Sequence, residues 1–324
     1  MVTLYSLTII YVGVGTEKQD INMPAPVILF AYNRPAHIRR CIESLLANSE
    51  AALSDLFIYS DGAKGESDGE SVKAVREFLR TVSGFKSVNL IERERNFGLS
   101  ANVIDAVTRI VNEYGNVIVV EDDLTVSPHF LEFMNDALEI YRDIPQVGHI
   151  QACDFTGSKK LPDTFLIKWT GSWGWATWAR AWQLFNPDGK QLLQELEEKK
   201  LTRSFDFNGA YGFTKMLRNQ IEGKNDSWAI RWNASLFLRG ILSLNAGRSL
   251  IMNNGFDGSG TNCGAEELYK SKLYMGRLPV VPISPIVENE DARAVIKDYY
   301  RRTNSFQAKA LRRIKRLLKG DFRR

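Results

Sequence analysis

The sequence predicts an α/β protein: a mostly parallel, Rossmann-like sheet flanked by helices, joined to an irregular, aromatic-rich second half. Three observations predict it. Through the first 150 residues, short fully apolar runs alternate with segments of helical periodicity. Strands of a parallel sheet covered by helices on both faces have this continuous apolar character. Several of the runs end in polar or acidic clusters, and in such sheets ligands bind beyond the carboxyl ends of the strands. All seven tryptophans lie between Trp169 and Trp232, where the alternation fades.

Val27–Ala31 (VILFA), bounded by Pro26 and the turn-like Asn33-Arg34-Pro35, is the first strand. Helical spacing follows over residues 36–47. Residues 56–59 form a second strand that stops at Ser60-Asp61-Gly62. A helix over 71–82 and a third strand over 87–91 come next. Residues 99–114 form an amphipathic helix, and residues 117–120 (VIVV) a fully apolar fourth strand that ends at Glu121-Asp122-Asp123. Pro128 stands near the start of a helix over 130–142. Trp178 and Trp182, four residues apart, have the spacing of a buried helix face.

At 324 residues the chain suits two domains of roughly 150 residues or one elaborated α/β domain. Apolar residues at 44% and charged residues at 25% exclude a disordered or collagen-like chain. Three widely spaced cysteines, Cys41, Cys153 and Cys263, fit a reduced compartment rather than a disulfide framework or a zinc site. No stretch reaches the ~20 apolar residues that span a bilayer. The net charge of +4 is unevenly spread: residues 293–324 hold 12 of the 42 Lys and Arg but 2 of the 38 Asp and Glu. The acidic remainder argues against a nucleic-acid-binding body.

The two ends differ from the body. Residues 1–23 lack the basic start of a signal peptide and read as an N-terminal extension, because MPAPVILFAYNRP from Met23 resembles a natural start. Deleting residues 1–22 is expected to leave folding and activity intact. Phe306, Ala310, Ile314, Leu317 and Leu318 recur at helical spacing, with Lys and Arg between them. That pattern fits a basic amphipathic helix on an anionic membrane surface. A helix that packs its stripe on its own domain is the alternative.

Three consecutive carboxylates directly after four buried apolar residues repel one another unless a cation or donors meet them. A hard divalent cation, held by one or two carboxylates and substrate phosphates, suits Glu121-Asp122-Asp123. A solvated acidic turn is the competing reading. Arg34 can fork onto a base carbonyl or a phosphate, or form a loop salt bridge. Asp61 can accept from the N–H groups of a uracil-type base or from ribose, or simply make an Asp-Gly turn. Asn96, Gly98 and Asn102 can approach a nucleotide closely, or merely start a helix.

Seven segments extend these motifs: VILFAYNRPAHIRRCIESLL, FIYSDG, NFGLSANV, VIVVEDDLTVSPHFLEF, GSWGWATWARAW, NDSWAIRW and NNGFDGSGTNCG. Together, from about Pro26 to Gly264, they resemble GT-A glycosyltransferases. More narrowly they are similar to family 2-like bacterial sugar transferases of capsule and lipopolysaccharide gene clusters. More distantly they resemble the animal Golgi N-acetylglucosaminyltransferase that begins hybrid N-glycans. The resemblance implies a nucleotide-sugar-binding half over 24–150, an acceptor-binding and catalytic half over 151–288, and a basic tail over 289–324.

It also implies roles. Arg34 would meet the nucleotide or its phosphates, Asp61 the base, and Glu121 and Asp122 ribose and donor sugar. Asp123 would coordinate Mn2+ or Mg2+. Asn96, Gly98 and Asn102 would complete the donor site. A hexosyl or N-acetylhexosaminyl group would pass from a UDP-sugar to an acceptor hydroxyl with inversion, and Asp226 would take the proton. Asp154 and Asp257 are alternative bases, and a helix N-cap is the alternative role for Asp226. Trp173, Trp175 and Trp228 would present faces to the acceptor sugar, although buried packing is the commoner fate of tryptophan. The acceptor would be a lipid-linked or other oligosaccharide, and the enzyme would sit on the inner face of the cytoplasmic membrane. Bacterial relatives often read GTHC where this chain reads GTNC, so Asn262 implies weaker metal binding. Two alternatives remain: a catalytically silent glycan-binding scaffold on the same fold, and a sugar-phosphate nucleotidyltransferase. The second is disfavoured because VILFAYNRP has no glycine-rich loop.

Overall fold

The computed structural model describes residues 23–257 and 272–305. The N-terminal extension to residue 22, Asn262, Cys263 and the 306–324 segment lie outside the described residues. In chain order the elements are β1 (Val27–Ala31), α1 (Pro35–Leu46), β2 (Asp55–Ser60), α2 (Glu66–Leu79), β3 (Ser87–Glu92), α3 (Leu99–Tyr114), β4 (Asn116–Glu121), β5 (Leu124–Val126), α4 (Phe130–Ile140) and β6 (Val147–Gln151). There follow β7 (Thr164–Ile167), β8 (Trp175–Trp178), α5 (Ala179–Trp182), α6 (Gly189–Glu198), α7 (Thr202–Phe205), α8 (Phe213–Ile221), α9 (Trp228–Leu238), β9 (Leu242–Ala246), β10 (Ile251–Asn253) and α10 (Glu290–Asn304).

Eight strands form one sheet in the order β3-β2-β1-β4-β8-β6-β9-β7. The pairs β1–β2, β1–β4, β2–β3 and β6–β9 are parallel, whereas β8 runs antiparallel between β4 and β6, and β7 antiparallel at the edge. The sheet is thus mixed but mostly parallel, as the alternation of runs predicts. Strands from both sides of residue 150 share it, so the two halves are built on one scaffold.

Both faces of the sheet are covered. Val27, Leu29 and Ala31 of β1 belong to one core with α1 and α4, while Ile28 and Phe30 belong to another with α3 and α9. In β4, Ile118 and Val120 join the first core and Val117 and Val119 the second. Two buried faces leave no polar position, which is why VILFA and VIVV carry no alternation. Each of these Val, Ile, Leu and Phe side chains contributes roughly 2 kcal/mol by leaving water. A third core, around Phe165, Ile167, Phe205 and Phe213, lies among β7, α6–α8 and α10.

Two local features depart from the sequence reading. Helix α2 starts five residues earlier than expected, because the Asp68 carboxylate accepts from the N–H groups of Lys64 (3.1 Å) and Gly65 (3.0 Å) and so caps the first turn. Strands β5 and β10, each three residues long, pair antiparallel as a separate ribbon that sequence periodicity cannot register. That ribbon shapes the site described next.

Candidate active site

Strands β1 and β4 are neighbours with Phe30 opposite Glu121. The residues following each strand therefore emerge side by side, and Arg34 meets the acidic triplet. Its Nη1 lies 3.2 Å from Asp123 Oδ2 and its Nε 3.4 Å from Asp122 Oδ2. Its Nη2 also donates to Asp122 Oδ1. Burial alone would lower the Arg34 pKa, but Asp122 and Asp123 outweigh it and raise it. Burial pushes Asp122 up to about 6, with Arg34 opposing and Asp123 adding to the rise. Burial, then Asp123 and Asp122, raise Glu121 well above the usual carboxylate range. One guanidinium does not balance three carboxylates here.

Asp123 is buried, and its Oδ1 has no hydrogen-bond partner among the described residues. A buried carboxylate oxygen without a donor is costly unless something else meets it. The β5–β10 ribbon folds the segment Asn253-Asn254-Gly255 over this residue. Asn254 N donates to the Asp123 carbonyl (2.8 Å), its Nδ2 to Thr125 Oγ1 (2.8 Å), and Gly255 N to Asn253 Oδ1 (2.7 Å). A Cβ on Gly255 would overlap Asp123 Oδ2, so only glycine lets the backbone approach this closely. Phe256 in the same turn meets the Trp173 ring edge-on at 5.6 Å.

At the end of β2, the Asp61 carboxylate accepts from Gly62 N (2.9 Å), Phe97 N (2.8 Å) and Gly98 N (2.9 Å). Three of its roughly four acceptor positions are thus filled by backbone. Gly98 precedes α3 at φ +74°, where a side chain would be strained. Asn96 Nδ2 donates to the Gly62 carbonyl (2.8 Å), and Asn102 Oδ1 accepts from Arg93 Nε (2.9 Å). The sequence reading missed Arg76. Its Nη2 holds the carbonyls of Arg93 (2.6 Å), Asp61 (3.2 Å) and Ser60 (3.4 Å) and so ties the ends of β2 and β3 together. Its position on a polar helix face carries no sign of that task.

Asp226 lies just before α9 with its side chain 72% exposed, 3.3 Å from Arg231 Nη2. It is not the helix cap: Ser227 Oγ accepts from Ile230 N (3.2 Å) and takes that role. Arg231, also missed, is buried and donates to Ser100 Oγ in the first turn of α3 (2.7 Å). It links the Asp226 loop to the half of the molecule that carries Asp61. Asp154 is buried and bound by Thr156 and Gly157.

The expected tryptophan platform needs correction. Trp175 has no exposed surface and Trp228 only 3%, and their rings stack on each other at 5.0 Å. Neither can offer a face to a sugar, because each ring lies within the aromatic core beneath the sheet. Trp178 and Trp182 are buried as expected, but not on one helix face: Trp178 ends β8 and packs in the first core, whereas Trp182 ends α5 and packs in the second. Trp173 alone of the expected platform is partly open.

Residues 27–217 match the model of the family described as glycosyl transferase family 2. The match spans Arg34, Asp61, the acidic triplet and Trp173, and stops short of Asp226 and the Asn253–Gly255 turn. No curated protein matches the sequence. Among solved structures, the chain is similar to the mannosyltransferase PcManGT from Pyrobaculum calidifontis in complex with GDP-Man and Mn2+, at 14% identity and TM-score 0.35 over 53% of this chain and 46% of that one. It is also similar to S. aureus TarS, at 15% identity and TM-score 0.31 over 43% of this chain and 23% of that one. An active-site mutant of LgtC aligns at 11% identity and TM-score 0.33 over 54% of this chain and 64% of that one. The chain thus spans less than two thirds of each of these proteins. With more than half of its length inside the family match, and the triplet, Arg34 and Asp61 within it, the chain belongs to glycosyl transferase family 2.

Proposed function

We propose that this protein is a metal-dependent, inverting glycosyltransferase. It moves a hexosyl or N-acetylhexosaminyl group from a nucleotide-diphosphate sugar, a UDP-sugar first of all, to an acceptor hydroxyl in surface polysaccharide or lipopolysaccharide synthesis. One observation carries the reading. Asp123 presents a buried, unpartnered Oδ1 beside Arg34 and Asp122, at the carboxyl edge of the sheet and under the glycine of the covering turn. This donor set fits a hard divalent cation that takes one or two carboxylates and completes its shell with phosphate oxygens.

Asp123 would hold Mn2+ or Mg2+, which when bound neutralises charge on the diphosphate. Arg34 donates to the same phosphates, while Glu121 and Asp122 face ribose and the donor sugar. Asp61, already holding Phe97 and Gly98 in place, offers its remaining acceptor position to the base. Asn96, Gly98 and Asn102 shape the wall of the donor site. Asp226 is the base: its carboxylate takes the proton as the acceptor oxygen bonds to the anomeric carbon and the bond from that carbon to the diphosphate breaks. Its exposure lets an acceptor reach it, and Arg231 fixes its loop. Trp173 is the remaining tryptophan for the acceptor sugar. Among the described residues no helix is long and apolar enough to cross a membrane. We place the protein peripherally at the cytoplasmic membrane, held by the 306–324 segment near lipid-linked acceptors.

A thermal-shift panel of nucleotide sugars with and without Mn2+ tests this reading, since a ligand that binds only the native state raises the melting temperature. Manganese-dependent protection by one UDP-sugar is the expected result. With that sugar, Asp226→Asn should keep the protection and lose transfer. No protection by any nucleotide sugar in a well-folded protein would move the silent-scaffold reading to the front. A second prediction concerns the turn. Gly255→Ala forces Asp123 off Arg34 or the turn off Asp123, and misplacement on the order of 1 Å costs about 10²-fold in rate. The check is turnover beside an unliganded melting temperature, which should barely move.

A further inference from the structure

A cavity of about 540 Å3 opens at the far edge of the sheet from Asp61, between the loop joining β6 to β7 and helix α10. Ser158 and Lys160 of the loop and Val295, Asp298, Arg301 and Arg302 of the helix line it. The helix buries Ala292, Ile296, Tyr299 and Tyr300 in the third core and turns the adjacent stripe to the cavity. Its charges are divided in the same way. Arg293 serves the fold: it pairs with Glu288 (3.0 Å) and donates to the Ser204 carbonyl (2.7 Å). Among the described residues, Lys160, Arg301 and Arg302 have no carboxylate partner, and Asp298 has no cationic one. Three unpaired cations thus surround one hollow of ligand size.

The loop is held ready. The buried Asp154 carboxylate accepts from Thr156 N (2.8 Å), Thr156 Oγ1 (2.7 Å) and Gly157 N (3.1 Å). Ser158 Oγ accepts from Lys160 N (3.2 Å), which leaves its own hydroxyl proton to donate. Thr156 Oγ1, held by Asp154, accepts in turn from Ser158 N (3.1 Å), so a chain of hydrogen bonds from Asp154, which the proposed transfer step does not use, reaches both loop residues of the cavity.

We infer that this cavity binds a phosphate or diphosphate ester that also carries hydroxyl groups. Lys160, Arg301, Arg302 and the Ser158 hydroxyl take the phosphate oxygens by charge-assisted hydrogen bonds. Asp298, a carboxylate amid cations, accepts from the neighbouring hydroxyls and selects against bare phosphate. Such a group can come from a soluble ester or from the head group of a glycerophospholipid. The inference does not depend on the transfer reaction, because the cavity shares no residue with the donor site.

The test uses the full-length protein with a chelator present, so that a metal-dependent donor site stays silent. Glycerol phosphate and inorganic phosphate are titrated by thermal shift, and flotation is measured with phosphatidylcholine vesicles with and without phosphatidylglycerol. The variant Lys160→Gln/Arg301→Gln/Arg302→Gln is compared with a control of equal charge, Lys190→Gln/Lys200→Gln/Arg203→Gln, whose side chains are also exposed. The cavity variant should bind at least about tenfold more weakly while the control matches the wild type. Loss in the glycerol phosphate arm identifies a soluble ester, and loss in the vesicle arm alone identifies a lipid head group. Equal behaviour of the two variants in both arms would overturn the site. Asp298→Asn should abolish the preference for glycerol phosphate over inorganic phosphate, and an unchanged preference would overturn the hydroxyl contact.

Discussion

Asp123→Asn is expected to lower the turnover number for sugar transfer by about 10³-fold with the fold intact. The substitution keeps the shape of the side chain and removes its charge. It thereby weakens Oδ1, the oxygen of this side chain that is buried and has no hydrogen-bond partner among the described residues, as a ligand for a hard cation. Loss of about 4 kcal/mol of charge stabilisation at the leaving diphosphate corresponds to that factor. Asp122 does not compensate, because both of its oxygens already accept from Arg34. The measurement is single-turnover transfer over a range of Mn2+ concentrations, together with the unliganded melting temperature. A variant that turns over at the wild-type rate with wild-type manganese dependence would remove Asp123 from the metal site.

His149 should make the protein acid-sensitive. It is fully buried, and burial lowers its pKa to about 3. Trp232 Nε1 donates to its Nδ1 (3.1 Å), which places the ring proton on Nε2, towards Gln151 Oε1 (3.5 Å). The ring also stacks on Trp175 at 5.4 Å. Charging the ring would put a second proton on Nδ1, facing the indole N–H, so the native state resists protonation. The unfolded chain binds that proton near pH 6.5. Stability is therefore complete above that value and falls as the pH falls towards 3. Between pH 7 and pH 4 the loss is about 3 kcal/mol. Asp122 acts in the opposite sense: its pKa is raised to about 6, so its contribution grows as the pH falls from 6 towards the ordinary aspartate value. The difference between wild type and His149→Gln isolates the histidine. Urea unfolding across this range should show wild type losing stability relative to the variant, and parallel curves would refute the assignment.

Much of the first half, to about residue 150, was legible in the sequence because its information is local. VILFA and VIVV announce strands buried on both faces, and an acidic triplet directly after VIVV announces a charge problem at the carboxyl edge. Strand adjacency then turns local motifs into a cluster: only the pairing of β1 with β4 decides that Arg34 meets Asp122 and Asp123. The half after residue 150 was less legible. Trp173 and Trp175 look equivalent in GSWGWATW, beside glycines and two residues apart. In the structure β8 carries Trp175 into the core, while Trp173 precedes the strand and stays at the rim against Phe256.

By itself, then, the sequence determined strands β1 to β4, helices α1 to α4 and the run of three carboxylates that closes β4, since these follow from polarity over a few consecutive residues. Tertiary structure alone decided the rest. It made Asp61 the clamp of the Phe97–Gly98 turn, Arg76 and Arg231 the ties between elements, and Gly255 the cover of Asp123. The reason is physical: hydrogen bonds and close approaches between residues up to 132 positions apart depend on sheet order and crossing geometry, which no local pattern of side chains encodes.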